Sequence, residues 1–164
     1  MQNTTGYIVG KASEEAGMIK HGAKMIQAVT NANVPQLTLM CDASFGAGNY
    51  GMCGRGYNPR FLFSWPNAQT AVMGAEQAAL TMAIVMEGGM KRKGLPVDEG
   101  KISDLKKQIV ENFESQQSAL VTSALLLDDG IIDPRDTRNV LGFALSICTE
   151  NRKVNPMQFG VARP

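Results

Sequence analysis

The spacing of apolar residues changes along the chain between a helical period and unbroken strand-length runs, and these changes mark the predicted elements. Residues 12–31 carry apolar side chains three or four positions apart, which predicts an amphipathic helix. Residues 36–43 form an almost continuous apolar run, which predicts a central strand covered on both faces. Residues 7–9 predict a short β-type segment near the start.

The middle of the chain continues this alternation of strand and helix. Short strands are predicted at residues 60–65 and 70–73, followed by a helix rich in Ala and Met at residues 74–86. Residues 87–101 combine Gly, Pro and charged side chains, which predicts a solvated loop excursion.

The last third of the chain is predicted to be helical, with segments at residues 102–114 and 118–127. A final helix is predicted after Asp133 and Pro134, because Asp is a favoured N-cap and Pro fits the first helical position. One face of this helix carries Val140, Leu141, Ala144, Leu145 and Cys148. The elements together predict an α/β fold in a single domain over residues 1–164, with no internal repeat.

Charge and composition exclude several classes of function. Sixteen Lys and Arg against fifteen Asp and Glu give the 164 residues a formal net charge of +1, so no overall field attracts nucleic acid. No apolar run approaches the ~18 residues that span a membrane, and the first residues lack the pattern of a signal peptide. We therefore expect no nucleic-acid partner, no membrane partner and no secretion.

Residues that commonly bind metals or act as acids and bases are scarce. Cys41, Cys53 and Cys148 include no C-x-x-C pair, which predicts a reducing compartment without a disulfide framework. His21 is the only histidine and lies inside a predicted helix, so a Ser-His-Asp or Cys-His site would depend on one poorly placed residue. The same scarcity predicts no metal in this chain.

Glycine is the one compositional oddity, because five of the 17 glycines fall between Gly46 and Gly56. Residues 46–51 fit G-x-G-x-x-G after a predicted strand, but a dinucleotide site also needs an acidic residue about 20 positions on, where this chain has Trp-Pro-Asn at 65–67. A more general hypothesis is that main-chain N–H groups at this junction stabilise an oxyanion. The alternative is a tight turn that serves only packing.

Several long segments of the sequence resemble a known family. The stretch SFGAGNYGMCGRGYNPRFLFSWPNAQTAVMGAEQAA is similar to the C-terminal half of the carboxyltransferase β subunit of biotin-dependent acyl-CoA carboxylases, most closely the methylcrotonoyl-CoA and geranyl-CoA type. The same family resemblance extends over MQNTTGYIVG, EEAGMIKHGAKMIQAV, LLDDGIIDPRDTRNVLG and the terminal QFGVARP. It covers nearly the whole chain except about residues 87–118.

The resemblance implies a fold and a reaction. Members have two crotonase-like (ClpP/crotonase) domains built from repeated ββα units, and this chain is similar to the second, C-terminal domain only. Such enzymes are ligases that form C–C bonds: carboxybiotin on a separate carrier protein releases CO2, the biotin nitrogen removes a proton from the acyl-CoA, and the enolate attacks CO2.

The resemblance also assigns site residues. The paired main-chain N–H groups that hold the biotin ureido oxygen fall on Ala47 and Gly48, with Gly46 shaping the turn. Candidate residues lining the acyl pocket are Phe45, Asn49 and Tyr50, with plain packing as the alternative for Phe45. Propionyl-type relatives carry an acidic residue where this chain has Tyr50, which implies a bulkier or differently shaped acyl group here.

Other residues receive lesser roles. The turn at residues 73–75 resembles the family's VMG turn opposite the site, with a simple strand-to-helix junction as the alternative. His21 and Lys24 are interpreted as supporting the fold rather than as a base or a phosphate contact, and Asp133 with Pro134 as helix capping only.

The expected partners follow from the family. They are the carboxyltransferase N-terminal domain, a biotin carboxylase and biotin carrier subunit, an acyl-CoA and further copies of the chain, in the bacterial cytoplasm or the mitochondrial matrix. The isolated chain is expected to have little activity. The first alternative is an assembly module without catalysis, which would be marked by an uncovered apolar face. Two less favoured alternatives are a propionyl- or acetyl-CoA carboxylase and an NAD-dependent oxidoreductase.

Overall fold

A computed structural model of the chain describes residues 1–150, and the segment QFGVARP lies outside them. The strands are β1 (Gln2–Thr4), β2 (Leu37–Phe45), β3 (Phe61–Ser64) and β4 (Gln69–Ala71). The helices are α1 (Lys11–Glu15), α2 (Met18–Asn31), α3 (Gly46–Gly51), α4 (Ala75–Arg92), α5 (Glu99–Gln117), α6 (Ala119–Ala124) and α7 (Thr137–Glu150), with short 3-10 turns at Arg55–Tyr57 and Pro134–Asp136.

The strands form a four-stranded parallel sheet around β2. Strand β1 lies on one side of β2, while β3 pairs with its first half and β4 with its second half, ending with Phe45 opposite Ala71. Because consecutive residues 38–40 are all buried, β2 is covered on both faces, as predicted. The α/β class is confirmed.

The core forms where β2 and β3 meet α6 and the segment after it. Met40, Leu62, Ala68 and Ala119 make one buried cluster, and Ile131 packs against it. Because all four strands run parallel, the carboxyl ends of β1, β2 and β4 lie at one edge of the sheet.

Two predictions near the start of the chain are wrong. The first strand is the polar segment Gln2–Thr4 rather than residues 7–9, where Ile8 and Val9 are exposed; the buried Gln2 side chain accepts a hydrogen bond from Ser44. The single helix predicted at residues 12–31 is two helices, because Gly17 adopts a left-handed conformation with φ of 87° between them.

The predicted loop excursion at residues 87–101 is mostly helical. Helix α4 continues to Arg92 and α5 begins at Glu99, so residues 93–98 alone connect them. The two helices pack along each other, and this contact outweighs the low helix propensity of Gly88 and Gly89. Asp98 then starts α5 as its N-cap, with its carboxylate accepting the Lys101 N–H.

The end of the described chain agrees with the predicted capping. Asp133 caps the 3-10 turn that leads into α7, accepting the Arg135 N–H at 2.8 Å. On α7, Ala144 is buried. Leu145, which was predicted to share its face, is exposed instead. No helix within residues 1–150 is long and apolar enough to cross a membrane.

Candidate functional site

The chain turns sharply from β2 into α3 at Gly46, at the sheet edge where several strands end. Gly46 has a φ of +55°, and a Cβ atom there would lie 2.8 Å from the main-chain carbonyl oxygen of Val72. Both the left-handed backbone and the contact with a second main chain require glycine. The main chain just after β2 is therefore packed directly against the main chain just after β4.

Main-chain N–H groups follow this turn in the first residues of α3. In a helix the first four N–H groups have no acceptor within the helix, and they carry partial positive charge. Ala47 is exposed and Gly48 is buried, where a Cβ atom would lie 2.8 Å from Thr4 Oγ1 and 3.0 Å from Gly6 Cα. The three predicted catalytic positions, 46 to 48, lie together at the end of the central strand.

A second helix begins at the same edge. Because β2 and β4 are parallel and in register at their ends, α4 starts beside α3, after Gly74 as its N-cap. No side chain caps this helix, whereas Val72 and Met73 before it are exposed. Two helix N-termini and an apolar rim thus adjoin the glycine turn, an arrangement that favours a negatively charged group beside an apolar one.

The three predicted lining residues have different surroundings. Phe45 is only 7% exposed, whereas Tyr50 is 48% exposed, with its ring 5.5 Å from that of Tyr57. The Asn49 amide donates a hydrogen bond of 2.7 Å to Ser44 Oγ, which in turn donates to Gln2 at 2.9 Å. In residues 1–150, Tyr50 therefore presents the accessible side chain, while Phe45 and Asn49 hold the turn in place.

Val72 also lines a cavity that the sequence analysis did not predict. It measures about 310 Å³ and is lined by the end of β4 and by α5 and α6, including Ala71, Phe113 and Val121. Gln117 also lines it, with a buried side-chain carbonyl oxygen that has no hydrogen-bond partner within residues 1–150. Nothing in the sequence pattern could locate this cavity, since its walls come from segments far apart in the chain.

Side chains that could act as acid, base or nucleophile do not gather at the turn. His21 and Lys24 lie exposed on α2. Cys53 is buried, and burial raises the pKa of its thiol, which opposes formation of a nucleophilic thiolate. Within residues 1–150 no group of three or more His, Cys, Asp and Glu side chains is placed to hold a metal ion. Within residues 1–150, the site hypothesis at this edge therefore rests on main-chain groups, with Tyr50 as the accessible side chain beside them.

Comparison with known proteins gives a consistent result. The carboxyl transferase domain family matches residues 1–160. The chain is 48% identical over 163 residues to the probable biotin-dependent acyl-coenzyme A carboxylase beta2 subunit of Mycobacterium tuberculosis, covering 99% of this chain and 31% of that protein. It is 47% identical over 165 residues to the mitochondrial methylcrotonoyl-CoA carboxylase beta chain of Dictyostelium discoideum, covering 99% and 28%.

Solved structures show the same similarity. The geranyl-CoA carboxylase beta subunit of P. aeruginosa superimposes with a TM-score of 0.85 and 50% identity, over 98% of this chain and 30% of that one. The transcarboxylase 12S structure superimposes with a TM-score of 0.76 and 28% identity. The crotonase-type fold expected from the sequence is confirmed, and the chain spans about 30% of the length of these relatives.

Proposed function

Because the chain belongs to the carboxyl transferase domain family, we propose that it forms the biotin-facing part of the active site of a biotin-dependent acyl-CoA carboxylase. The biotin is carried on a separate protein, and the acyl acceptor is a branched enoyl-CoA of the 3-methylcrotonoyl or geranyl type. Relatives with these names, at 47% and 50% identity, support this substrate class. The enzyme works in the bacterial cytoplasm or, in a eukaryote, in the mitochondrial matrix.

The observation that carries the proposal is the turn at Gly46. A main chain with φ of +55° at Gly46, close to the Val72 carbonyl, at the end of a buried strand, supports a site in which the N–H groups of Ala47 and Gly48 act as donors. The turn is closely packed, because a Cβ atom at Gly46 or Gly48 would lie 2.8 Å from a neighbouring atom. A preorganised pair of donors of this kind suits an oxygen on which negative charge develops.

In this proposal the chain acts through its main chain. Bound carboxybiotin supplies the activated carboxyl group. The N–H groups of Ala47 and Gly48 hold the ureido oxygen and lower the cost of the charge it acquires, and Gly46 sets their direction. Loss of one such donor slows acyl-transfer enzymes by about 10²–10³-fold, and we expect a similar loss here.

The apolar rim supports the choice of acyl group. Tyr50 is accessible beside the turn, and the exposed Val72 and Met73 extend the apolar surface there. A branched hydrocarbon tail gains free energy from covering such a surface, at about 25 cal/mol per Å² of apolar area removed from water. The N-terminal domain, absent from these 164 residues, would supply most contacts to the coenzyme A portion.

A chimeric enzyme tests the proposal. The corresponding part of the P. aeruginosa geranyl-CoA carboxylase beta subunit is replaced by this chain, and carboxylation of geranyl-CoA and 3-methylcrotonoyl-CoA is measured with the biotin-bearing subunit present. We expect turnover with at least one of them. A chimera that assembles but has no turnover would contradict the proposal and favour the assembly module.

A single substitution then tests the donor. Ala47→Pro deletes one N–H group within the first turn of a helix, where proline is tolerated. The matched control is Glu99→Pro, at the exposed first position of α5. We expect kcat to fall by about 10²-fold or more for Ala47→Pro and to stay unchanged for Glu99→Pro, with both chains folded by circular dichroism. Equal activities would rule out the donor role of Ala47.

A second candidate, an assembly module without catalysis, is favoured by one observation. Large apolar side chains are exposed on α4, α6 and α7, among them Leu80, Leu120 and Phe143. Surfaces of this kind are usually covered in an assembled protein. The chimera separates the two candidates, since an assembly module would support subunit association without turnover.

A further inference from the structure

The cavity beside Val72 lies between the end of β4 and the helices α5 and α6. Most of its lining is apolar, with Phe113 and Val121 among the walls, and it measures about 310 Å³. Its entrance is apolar as well, because Leu125 and Leu127 line it and are 66% and 38% exposed. An apolar cavity of about 150 Å³ is enough to hold benzene. The cavity therefore has room for a small organic molecule.

One polar atom of the cavity lining has no partner. The side-chain carbonyl oxygen of Gln117 is buried without a hydrogen bond within residues 1–150, and the residue is only 8% exposed. The other polar side chains of the lining donate hydrogen bonds within the chain; they are Thr70, Gln116 and Thr122. A buried acceptor without a donor destabilises a protein, and native structures seldom leave one. Gln117 therefore calls for a donor from outside the described residues.

The backbone around Gln117 holds this residue in place. Gln117 is the last residue of α5, and Ser118 both ends that helix and caps α6, where its hydroxyl accepts the Val121 N–H. The main chain of Ser118 also forms a bridge to Gln69, the first residue of β4. Two helix ends and a strand thus fix the position of residue 117. The unpaired oxygen therefore belongs to a wall that regular structure holds in place.

The lining also decides what kind of molecule fits. Within residues 1–150 no charged side chain lines the cavity, so nothing there balances a carboxylate, a phosphate or an ammonium group. A pure hydrocarbon would leave the Gln117 oxygen unpaired. A carboxamide both donates and accepts, so it can pair with the carbonyl oxygen and the NH2 group of Gln117 together. These constraints favour a neutral amide that carries a hydrocarbon group.

We propose that the cavity binds a small neutral amide, whose hydrocarbon group fills the apolar part and whose N–H group donates to Gln117. This site is separate from the glycine turn, since residues 46–48 are not among the described residues that line it. The two sites adjoin through Val72, whose carbonyl oxygen lies against Gly46. The inference does not depend on the proposed function, because it concerns a different ligand held by other residues.

Ligand titration followed by two-dimensional NMR tests the proposal on the full chain. Cyclohexanecarboxamide is the probe, and methyl cyclohexanecarboxylate is its matched control, because the ester has a similar size but no N–H group. We expect saturable shifts of the Phe113 and Val121 amide signals, with a Kd about three- to tenfold lower for the amide than for the ester. The anion cyclohexanecarboxylate should not bind. Absence of saturable shifts with the amide, or equal affinity for amide and ester, would overturn the proposal.

Substitutions then locate the bound amide. Gln117→Met removes the acceptor at nearly constant volume, so the amide should bind about three- to tenfold more weakly while the ester binds as before. Gln108→Met is the matched control, because Gln108 is exposed on α5 and does not line the cavity; it should change neither affinity. Val121→Phe fills the cavity and should abolish binding of both ligands, with the circular dichroism unchanged. Undiminished amide binding by Gln117→Met, or by a folded Val121→Phe chain, would rule out the proposed site.

Discussion

The glycines of the turn after β2 and the glycines of α4 use the same residue for different physical reasons. At Gly46 the chain itself excludes any side chain, through a φ of +55° and a Val72 carbonyl oxygen 2.8 Å from a Cβ position. At Gly88 and Gly89 the backbone is helical and no described atom lies within 4 Å of a Cβ position. Residues 1–150 themselves require glycine at position 46, and they show no such requirement at positions 88 and 89.

The side chains around the two regions differ in the same way. At the turn, Phe45 and Ser44 are buried, and Ser44 is hydrogen-bonded to Gln2 and Asn49. On α4, Leu80 and Ile84 are largely exposed. The turn is thus well packed within residues 1–150, whereas Leu80 and Ile84 on α4 are left largely open by these residues. Substitutions in the two regions should therefore have opposite effects on the stability of the isolated chain.

The largest effect is expected at the turn itself. Gly46→Ala forces a side chain into a left-handed conformation and against a carbonyl oxygen, and should lower the free energy of unfolding by about 3 kcal/mol. Gly94→Ala is the matched control, because Gly94 has a similar φ of 66° but no described atom within 4 Å of a Cβ position. Urea denaturation followed by circular dichroism measures both. Equal losses would show that the contact with Val72 costs nothing.

A smaller loss is expected at Gly48, where the neighbouring atoms belong partly to a side chain. Gly48→Ala should cost about 1–2 kcal/mol, because the added methyl group lies within 3.0 Å of Thr4 Oγ1 and can displace it. Replacing Thr4 by Ala as well should recover part of the loss. A double-mutant cycle with no coupling between positions 4 and 48 would contradict this contact.

Asn49 distinguishes a structural role from a lining role. Asn49→Ala removes the hydrogen bond to Ser44 and should cost about 1 kcal/mol in thermal or urea unfolding. Asn33→Ala, in an exposed loop, should cost nothing measurable. Should both variants unfold alike, the bond to Ser44 would not stabilise the turn, and Asn49 would be free to serve a ligand.

Local patterns account for the parts of the fold that the sequence predicted correctly. The apolar run at residues 36–43 and the Asp-Pro cap at 133–134 were both recognisable, because each depends on neighbouring residues. The turn at Gly46 was recognisable from its glycines after a strand. The inward hydrogen bond of Asn49 was not, since it belongs to a chain of hydrogen bonds through Ser44 to Gln2, and Gln2 is 42 positions from Ser44.

The error at residues 87–101 has a related cause. Gly, Pro and charge predict a loop when only local preference is considered, but packing between α4 and α5 keeps most of the segment helical. The cavity beside Val72 depends equally on contacts between distant segments. Both features depend on packing between segments that are distant in the chain, and such packing cannot be predicted from local sequence patterns.

A gain in stability is expected on α4. Gly88→Ala should raise the free energy of unfolding of the diluted chain by about 0.5–1 kcal/mol, because alanine loses less backbone entropy and meets no described atom. Ala79→Gly, on the packed side of the same helix, should lower it. A lower free energy of unfolding for Gly88→Ala would mean that the chain itself requires glycine at position 88. The contrast drawn with Gly46 would then be wrong.

The smallest effect concerns the charges on the same helix. The Lys91 ammonium, 2.6 Å from the Glu87 carboxylate, lowers the pKa of Glu87 below its ordinary value. A lowered carboxyl pKa stabilises the folded state above the ordinary pKa, and this contribution is lost as pH falls through the lowered pKa. Both groups are exposed, so solvent and salt screen the pair. The thermal midpoint of the wild-type chain should therefore exceed that of Glu87→Gln slightly at about pH 7, and the difference should shrink as pH falls through the lowered pKa of Glu87 or in about 1 M salt. If the difference in thermal midpoint persisted in acid, it would come from the shape of the Glu87 side chain and not from its charge. The ion pair with Lys91 would then not stabilise α4.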